Sequence, residues 1–179
     1  MTARIAPGGR SDVGLLAWIV SRVAGRAIGT GPPNLFLTLG RHRKLFRGWL
    51  HFAGRLMPGG TLPRRETELV ILRVAHVASC RYEWDHHVRL GRRAGLGGAD
   101  FDRVVAGPEA PGWSARERAL LSAVDRMHAD RDVDDASWES LREHLADREA
   151  IELCMLVGHY EMLATTITTL RLQPDRDRR

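Results

Sequence analysis

Four side chains that could do chemistry lie within one short segment of the chain: Glu68, Cys80, Glu83 and His87. Cys80, Glu83 and His87 are separated by three and four residues, so on a helix they project from one stripe. Glu68 lies twelve residues before Cys80 and reaches the same stripe if two successive helices pack antiparallel. The spacing therefore predicts two carboxylates, a thiol and an imidazole on one side of a helical hairpin.

This set of groups allows either proton chemistry or thiol chemistry. An imidazole beside desolvated carboxylates can move protons without a cofactor, so His87 is the candidate general acid or base, with Glu83 or Glu68 orienting it or sharing its proton. A thiolate is a nucleophile, and the start of a helix after Cys80 favours it, whereas the two carboxylates oppose it by repulsion. Alternatively, Cys80 is a small buried side chain that packs at a helix junction.

A metal site is a weaker interpretation of the same segment. Glu83 and His86 have the E-x-x-H spacing of helical di-iron proteins, but those sites need a second such pair and further carboxylates. No second E-x-x-H occurs in the sequence. Neighbouring helix residues such as His86 and His87 point about 100° apart, which disfavours a shared centre. We therefore expect no metal and no cofactor.

Residues next to the motif are candidates for the walls of a substrate pocket. His76 lies four residues before Cys80 and can face the same cavity, and Tyr82 and Trp84 could form its sides. We predict substrate binding for these three residues, with core packing as the alternative for the two aromatic side chains. Residues 159–161 (His-Tyr-Glu) could complete a pocket across a subunit boundary, although a structural role is the better-supported interpretation.

Helical periodicity predicts the elements that must position these residues. We expect helices at residues 12–28, 43–57, 63–79, 81–94, 100–106, 114–128, 135–145 and 147–170. Ser11 or Asp12 is the expected cap of the first helix, Ser114 and Glu117 form an S-x-x-E capping box, and Asp135 caps a later helix. Since strand-like alternation is almost absent, the fold class is all-α, with about seven helices in a single domain.

Composition sets the outer limits of this prediction. With 179 residues, 44% of them hydrophobic, the chain suits one helical domain at 11–172, between a flexible leader at 1–10 and a basic tail at 173–179. Cys80 and Cys154, the only two cysteines, both lie in helical segments, so we expect no disulfide framework and a reducing cytoplasm. Arg22 and Arg26 interrupt the apolar N-terminal stretch, which argues against a signal sequence or a membrane span.

The net charge of +5 raises the question of a nucleic-acid partner. The positive charge is nearly all arginine, and it is spread from Arg4 to Arg179 among many carboxylates. A nucleic-acid surface needs the charge clustered on one face. We therefore expect no nucleic-acid partner, and the arginines are better explained as solvated helix faces.

Two segments resemble a known family: L-P-R-R-E-T-E-L-V-I-L-R-V-A-H (62–76) and C-R-Y-E-W-D-H-H-V-R-L-G-R-R-A-G-L (80–96). They are similar to the carboxymuconolactone decarboxylase family, an all-helical group that also contains the alkylhydroperoxidase D proteins. Residues 113–128 and 151–160 extend the likeness. The peroxidase branch uses a C-x-x-C pair with upstream Glu and downstream His, whereas this chain has Glu83 in place of the second cysteine. A disulfide within the motif is therefore impossible.

The resemblance implies an alkylhydroperoxidase D-like helical bundle and three possible functions. The first is a cofactor-free lyase that removes CO₂ from a small carboxylated lactone or acts on an enolisable substrate, through a dienolate. The second is a thiol-dependent hydroperoxide reductase (peroxiredoxin-type activity) at Cys80, with Cys154 or an external thiol as the resolving partner. The third is a non-catalytic helical binding or assembly protein. The resemblance also implies a small-molecule substrate and a homo-oligomer, either a trimer or a hexamer.

Overall fold

The computed structural model describes residues 2–175, which form nine α-helices and no β-strand. The helices are α1 (Arg10–Ile28), α2 (Asn34–Leu39), α3 (Arg43–Leu56), α4 (Arg64–Val77), α5 (Arg81–Arg93), α6 (Gly98–Ala106), α7 (Ala115–Asp130), α8 (Asp135–Arg142) and α9 (Asp147–Leu170). The predicted all-α class is therefore confirmed, with more helices than the seven or so expected. Helix α2 was missed because its six residues are too short to show a helical period.

The first helix begins earlier than predicted. Its N-cap is Gly9, not Ser11 or Asp12. Asp12 lies at the third helical position, and its carboxylate accepts a hydrogen bond from the Gly9 N–H at 2.8 Å. Gly14 interrupts the helix with a φ of 81°, a left-handed conformation that glycine adopts without steric cost. The acidic residue thus satisfies a free N–H from inside the first turn rather than from the cap position.

Two other helix starts give one confirmation and one correction. At α7 the predicted capping box is present, since the Ser114 side chain accepts from the Glu117 N–H. At α8 the cap is Asp134 rather than Asp135, because the Asp134 carboxylate accepts from the Ser137 N–H at 3.0 Å. Adjacent aspartates are equivalent by residue type, so only the backbone geometry distinguishes them.

The chain divides into two compact units. The first contains residues up to 54 together with those from 166 onward, and aromatic side chains fill its core. The Phe36 ring packs edge-on against Phe46 and Trp49, with centroids 5.8 and 5.3 Å apart. Within this unit, the Arg4 N–H in the predicted leader donates to the Leu170 carbonyl at 2.9 Å. The predicted domain limits stay predictions, and the last four residues of the predicted tail lie outside the described part.

The second unit, residues 55–165, is built around α4. This helix packs against α5, α6 and α7, and its residues 69–72 are completely buried. The dense apolar run therefore faces the core on more than one side, as its composition predicts. After α4 the chain turns through Ser79, and Cys80 becomes the N-cap of α5. No helix in the described part of the chain has the length and apolar character needed to cross a bilayer.

Candidate active site

The helical hairpin of α4 and α5 brings Glu68 and His87 into contact. The Nδ1 atom of His87 lies 2.7 Å from Oε2 of Glu68, and both side chains are buried. This contact requires the start of α4 to meet the second half of α5, which is the antiparallel packing that the spacing predicted. Because a carboxylate only accepts hydrogen bonds, Nδ1 carries the shared proton and Nε2 is the nitrogen available for proton transfer.

The second oxygen of Glu68 faces an arginine one turn earlier on α4. A terminal nitrogen of Arg64 lies 2.6 Å from Oε1 of Glu68, in an ion pair without standard hydrogen-bond angles. The Glu68 side chain is fully buried, whereas that of Arg64 is 38% exposed. Glu68 is therefore held between a cation that reaches solvent and the imidazole of His87. This pairing offsets part of the cost of burying its charge.

Glu83 lies in the first turn of α5, and its surroundings keep it protonated. Both carboxylate oxygens are buried and have no hydrogen-bond partner among the described residues. The Cys80 thiol interacts with this carboxylate without standard hydrogen-bond geometry. Burial is the main cause that raises the pKa of Glu83 to about 8, and repulsion from Glu161 adds to it. Glu83 is consequently a neutral carboxylic acid at neutral pH.

Cys80 is buried at the N-cap of α5, where its surroundings disfavour the thiolate. Burial raises its pKa to about 12, and the negative charge of Glu83 contributes further. Backbone N–H groups of the first helical turn act in the opposite direction, as the sequence predicted, but their effect is smaller. The thiol therefore stays protonated at neutral pH. Neither Cys80 nor Cys154 forms a disulfide.

Helix α9 contributes a residue whose part in the site was not predicted. The Tyr160 ring stands nearly perpendicular to the His87 ring, at 86° and a centroid distance of 5.1 Å. Burial and repulsion from Glu83 and Glu68 raise the pKa of Tyr160, so its hydroxyl keeps its proton. For residues 159–161, the sequence favours a structural role over a place in a pocket. A tyrosine in an apolar helix has no spacing relative to the motif that would indicate its position.

The two neighbours of Tyr160 have different roles. His159 is buried, and burial lowers its pKa to about 4, so its ring is neutral at neutral pH. Glu161 pairs with His128 at 2.6 Å and with Arg131 at 3.1 Å. The ring of Tyr160 packs against His87.

The predicted substrate-binding residues do not form one wall. His76 and Trp84 line a surface pocket of about 320 Å³, with ring centroids 6.1 Å apart. Neither Cys80 nor His87 lines that pocket. Tyr82 is buried, and its ring packs against His86 at a centroid distance of 4.4 Å. A role for His76, Tyr82 and Trp84 in substrate binding stays a prediction.

The candidate site groups an imidazole with two carboxyl groups and a phenol. His87 contacts Glu68, Glu83 is a neutral carboxylic acid at neutral pH, and Tyr160 keeps its proton. The set therefore combines one group able to act as acid or base with neutral hydrogen-bond donors. Within residues 2–175, no three His, Cys, Asp or Glu side chains are grouped so that they could hold a metal ion.

Comparison with known proteins agrees with this geometry. The model of the carboxymuconolactone decarboxylase family matches residues 43–126, which contain the α4–α5 hairpin and all four motif residues. The matched segment, slightly less than half of the 179 residues, is similar to that family. No functionally curated protein matches the sequence.

Several solved structures share the fold. An uncharacterised peroxidase-related protein from Ralstonia eutropha JMP134, described as an alkylhydroperoxidase AhpD core, has a TM-score of 0.84 and 22% identity over 96% of this chain and 92% of its own. The debrominase Bmp8 has a TM-score of 0.82 and 18% identity over 95% and 91%. A putative antioxidant defence protein AhpD from Agrobacterium tumefaciens has a TM-score of 0.69 and 24% identity over 74% and 91%. At such identities the likeness establishes the fold alone.

Proposed function

We propose that this protein is a cofactor-free acid–base lyase of the carboxymuconolactone decarboxylase type, acting on a small carboxylated lactone or another enolisable substrate. The observation that carries the proposal is the buried contact between His87 and Glu68, at 2.7 Å. A carboxylate that holds one ring nitrogen fixes the orientation of the imidazole and stabilises the positive charge that the ring carries when protonated. The other ring nitrogen then exchanges protons with the substrate.

Decarboxylation needs a conjugated group that accepts the electron pair of the broken bond and an acid that protonates the resulting carbanion. When the bond between the ring carbon and the carboxylate breaks, its electron pair moves into the conjugated lactone, CO₂ leaves and a dienolate forms. Protonation at carbon by His87 restores the neutral lactone, and the imidazole regains its proton from water. One proton is consumed for each CO₂ released, and Glu68 keeps the ring in position throughout.

Glu83 supplies a second acid in this proposal. With a pKa of about 8 it holds its proton at neutral pH and can share the protonation step with His87. The charge that Glu83 acquires above pH 8 would repel the anionic substrate and the dienolate. We therefore expect turnover to fall as pH rises through about 8. The position that carries the second cysteine of the peroxidase motif thus carries an acid here.

Thiol chemistry at Cys80 is the alternative. It is supported by the fold shared with the peroxidase-related proteins and by a cysteine-to-alanine variant of the debrominase Bmp8 that was crystallised with 2,3,4-tribromopyrrole. Against it stand the burial of the Cys80 thiol and its pKa of about 12, which leave very little thiolate at neutral pH. Acid–base chemistry is therefore the better-supported function.

The test compares two adjacent histidines. CO₂ release is measured from carboxylated γ-lactones and β-keto acids, using wild type, His87→Gln and His86→Gln. We expect His87→Gln to lower kcat about 10²- to 10⁴-fold, since it removes the acid–base group, whereas His86→Gln keeps turnover within a few fold. The fold of each variant is checked by circular dichroism.

A second measurement separates the lyase from the thiol enzyme. Wild type and Cys80→Ser are treated with hydrogen peroxide and examined by intact mass. We expect no rapid gain of oxygen at Cys80. Rapid formation of a sulfenate that thiols reverse, together with unchanged CO₂ release in His87→Gln, would establish thiol chemistry instead. Inert behaviour in both assays, with no small-molecule binding, would favour the non-catalytic alternative.

We also propose a homo-oligomer, a trimer or hexamer, in a reducing cytoplasm. Support for the assembly comes from three apolar side chains on α9, Ile151, Met155 and Met162, which are 65%, 47% and 49% exposed. Exposed large apolar side chains that recur on one helix are consistent with a protein interface. The two unpaired cysteines support the reducing compartment. Light scattering of wild type and Met155→Lys tests the assembly, and a monomeric wild type would contradict it.

A further inference from the structure

Tyr160 carries a strong hydrogen-bond donor that lacks a strong acceptor. Its side chain is buried, and its hydroxyl points at the sulfur of Met57, 3.7 Å away. A thioether is a weak acceptor, whereas buried hydroxyl groups usually donate to a carbonyl or carboxylate oxygen. The fold therefore keeps a good donor directed at a poor partner, beside the proposed acid–base group.

The location of the hydroxyl matches the place where negative charge would develop. The Tyr160 and His87 rings pack against each other nearly at right angles, so the phenol lies next to the imidazole. The carboxylates of Glu68 and Glu83 both act on the phenol and disfavour its ionisation. Tyr160 therefore remains a donor rather than becoming a phenolate. A neutral donor in a desolvated site stabilises an oxyanion far better than water-exposed groups do.

We propose that Tyr160 donates a hydrogen bond to the oxyanion of the enolate or dienolate formed at His87. The inference rests on the proposed lyase function and adds a residue to it. Charge appears on the carbonyl oxygen of the substrate when the carbon–carboxylate bond breaks, and the Tyr160 O–H turns from the Met57 sulfur to that oxygen. Tyr160 keeps its proton throughout, because His87 supplies the proton that reaches carbon.

Met57 is the group that the substrate displaces in this arrangement. Its side chain is half-buried in the segment between α3 and α4. The sulfur accepts only a weak hydrogen bond from the Tyr160 hydroxyl. Exchange of a thioether for a charged oxygen strengthens the hydrogen bond, since bonds to ionised acceptors are about twice as strong as neutral ones. The donor is thus used most fully in the transition state, which raises kcat rather than substrate affinity.

The experiment replaces only the hydroxyl. Tyr160→Phe keeps the ring that packs on His87, and Ser21→Ala is the control because it also removes a buried hydroxyl, which donates to the Ala17 carbonyl within α1. With a substrate from the CO₂ assay, we expect Tyr160→Phe to lower kcat about 10²- to 10³-fold with KM changed by only a few fold. Ser21→Ala should stay within a few fold of wild type in both constants.

A binding measurement makes the result independent of turnover. The nitronate of 3-nitropropionate carries an enolate-like oxyanion beside a carboxylate, whereas succinate carries two carboxylates. By calorimetry we expect Tyr160→Phe to bind the nitronate at least about tenfold more weakly than wild type, with succinate binding unchanged. Equal nitronate affinity in wild type and Tyr160→Phe, or no nitronate binding by wild type, would overturn the role of Tyr160.

The two proposals fail in different ways. CO₂ release with equal kcat in wild type and Tyr160→Phe would leave the lyase standing and remove Tyr160 from it. Absence of CO₂ release, combined with Tyr160-dependent nitronate binding, would remove the decarboxylation and leave an oxyanion site for another enolisable substrate. Thermal unfolding of each variant shows whether it folds as wild type does.

Discussion

Two glutamates on α4, only two residues apart, have opposite surroundings. Glu66 receives two hydrogen bonds of 2.9 Å from Arg116, which also binds Glu149 at 2.8 Å and the His144 carbonyl. Glu68 lies completely buried between His87 and Arg64. One face of the helix therefore holds a network of paired charges, and the other holds the candidate site.

The difference shows in the protonation of the neighbouring groups. In the network every charge has a partner, so the hydrogen bonds that Arg116 donates to Glu66 raise the pKa of Arg116, and hydrogen bonds from the Ala146 N–H and then Arg116 lower that of Glu149. At the site, burial is the main cause that raises the pKa of Glu83 and of Cys80. Paired charges stabilise the fold. A buried carboxylic acid without a charged partner, such as Glu83, lowers the stability, but its pKa of about 8 suits it to proton transfer at neutral pH.

Replacement of each glutamate by its amide is the strongest test of this contrast. Glu68→Gln removes the charge that stabilises a protonated His87, so we expect kcat to fall about 10²- to 10³-fold. Glu66→Gln should leave kcat within a few fold and lower the stability instead. Steady-state kinetics and urea unfolding on both variants make the measurement. Equal losses of kcat in the two variants would show that the site and the network are not distinct.

Glu83→Gln tests how much unfolding free energy the protein loses by burying Glu83 without a charged partner. The folded pKa of about 8 exceeds the ordinary value of 4.5, so between these two pH values the folded protein holds a proton that the unfolded chain has lost. Wild-type stability should therefore decrease as pH rises from about 4.5 to about 8, by roughly 1.4 kcal/mol per pH unit, and then level off. Between pH 5 and pH 7.5 that amounts to about 3 kcal/mol.

The amide side chain introduced by Glu83→Gln cannot ionise, so the variant should lack this dependence. Urea unfolding of wild type and Glu83→Gln at pH 5, 6, 7 and 8 measures the difference, which should grow with pH in favour of the variant. Parallel curves for the two proteins would mean that Glu83 is ionised in the folded state. That result would also remove Glu83 as a second acid.

Arg116→Ala tests the network directly. The substitution removes bonds to Glu66, Glu149 and the His144 carbonyl, and leaves two largely buried carboxylates without the arginine that pairs them. We expect a loss of about 2 kcal/mol in the free energy of unfolding with kcat unchanged. Arg118→Ala is the control, because its partner Glu109 is 84% exposed, and it should cost less than about 0.5 kcal/mol. Similar losses for both variants would contradict the importance of burial.

The sequence predicted the part of the site that one hairpin builds. Glu68 and His87 meet because helical spacing places them on facing stripes once α4 and α5 fold back on each other. Tyr160 reaches the same place from α9, and nothing in the spacing of the motif indicates which turn of that helix lies against it. Contacts between distant elements depend on packing, which periodicity does not describe.

The dependence on packing also explains why the pKa of the Cys80 thiol could not be predicted from the sequence. The sequence indicated opposing influences on Cys80, from a helix N-terminus that favours the thiolate and from carboxylates that oppose it. In the structure burial is the largest influence; it acts in the same direction as the carboxylates and outweighs the backbone N–H groups of the helix N-terminus. Burial depends on how the surrounding helices pack, and a single sequence indicates only that the region is apolar. The position of a helix cap is limited in the same way, since backbone geometry and not residue type decides that Asp134 rather than Asp135 caps α8.

The smallest expected effect concerns the cap of the helix that carries Arg116. Ser114 accepts from the Glu117 N–H, and the Glu117 carboxylate accepts from the Ser114 N–H and from Arg65 at 3.0 Å. Ser114→Ala removes the first of these bonds and loosens the second, so we expect a loss of about 1 kcal/mol in unfolding free energy. Because the cap lies on α7 and its bonds join Ser114, Glu117 and Arg65 rather than Glu68 or His87, kcat should not change. A fall in kcat beyond a few fold, with stability intact, would mean that strain passes through α4 from the network to Glu68, and that the two faces work as one unit.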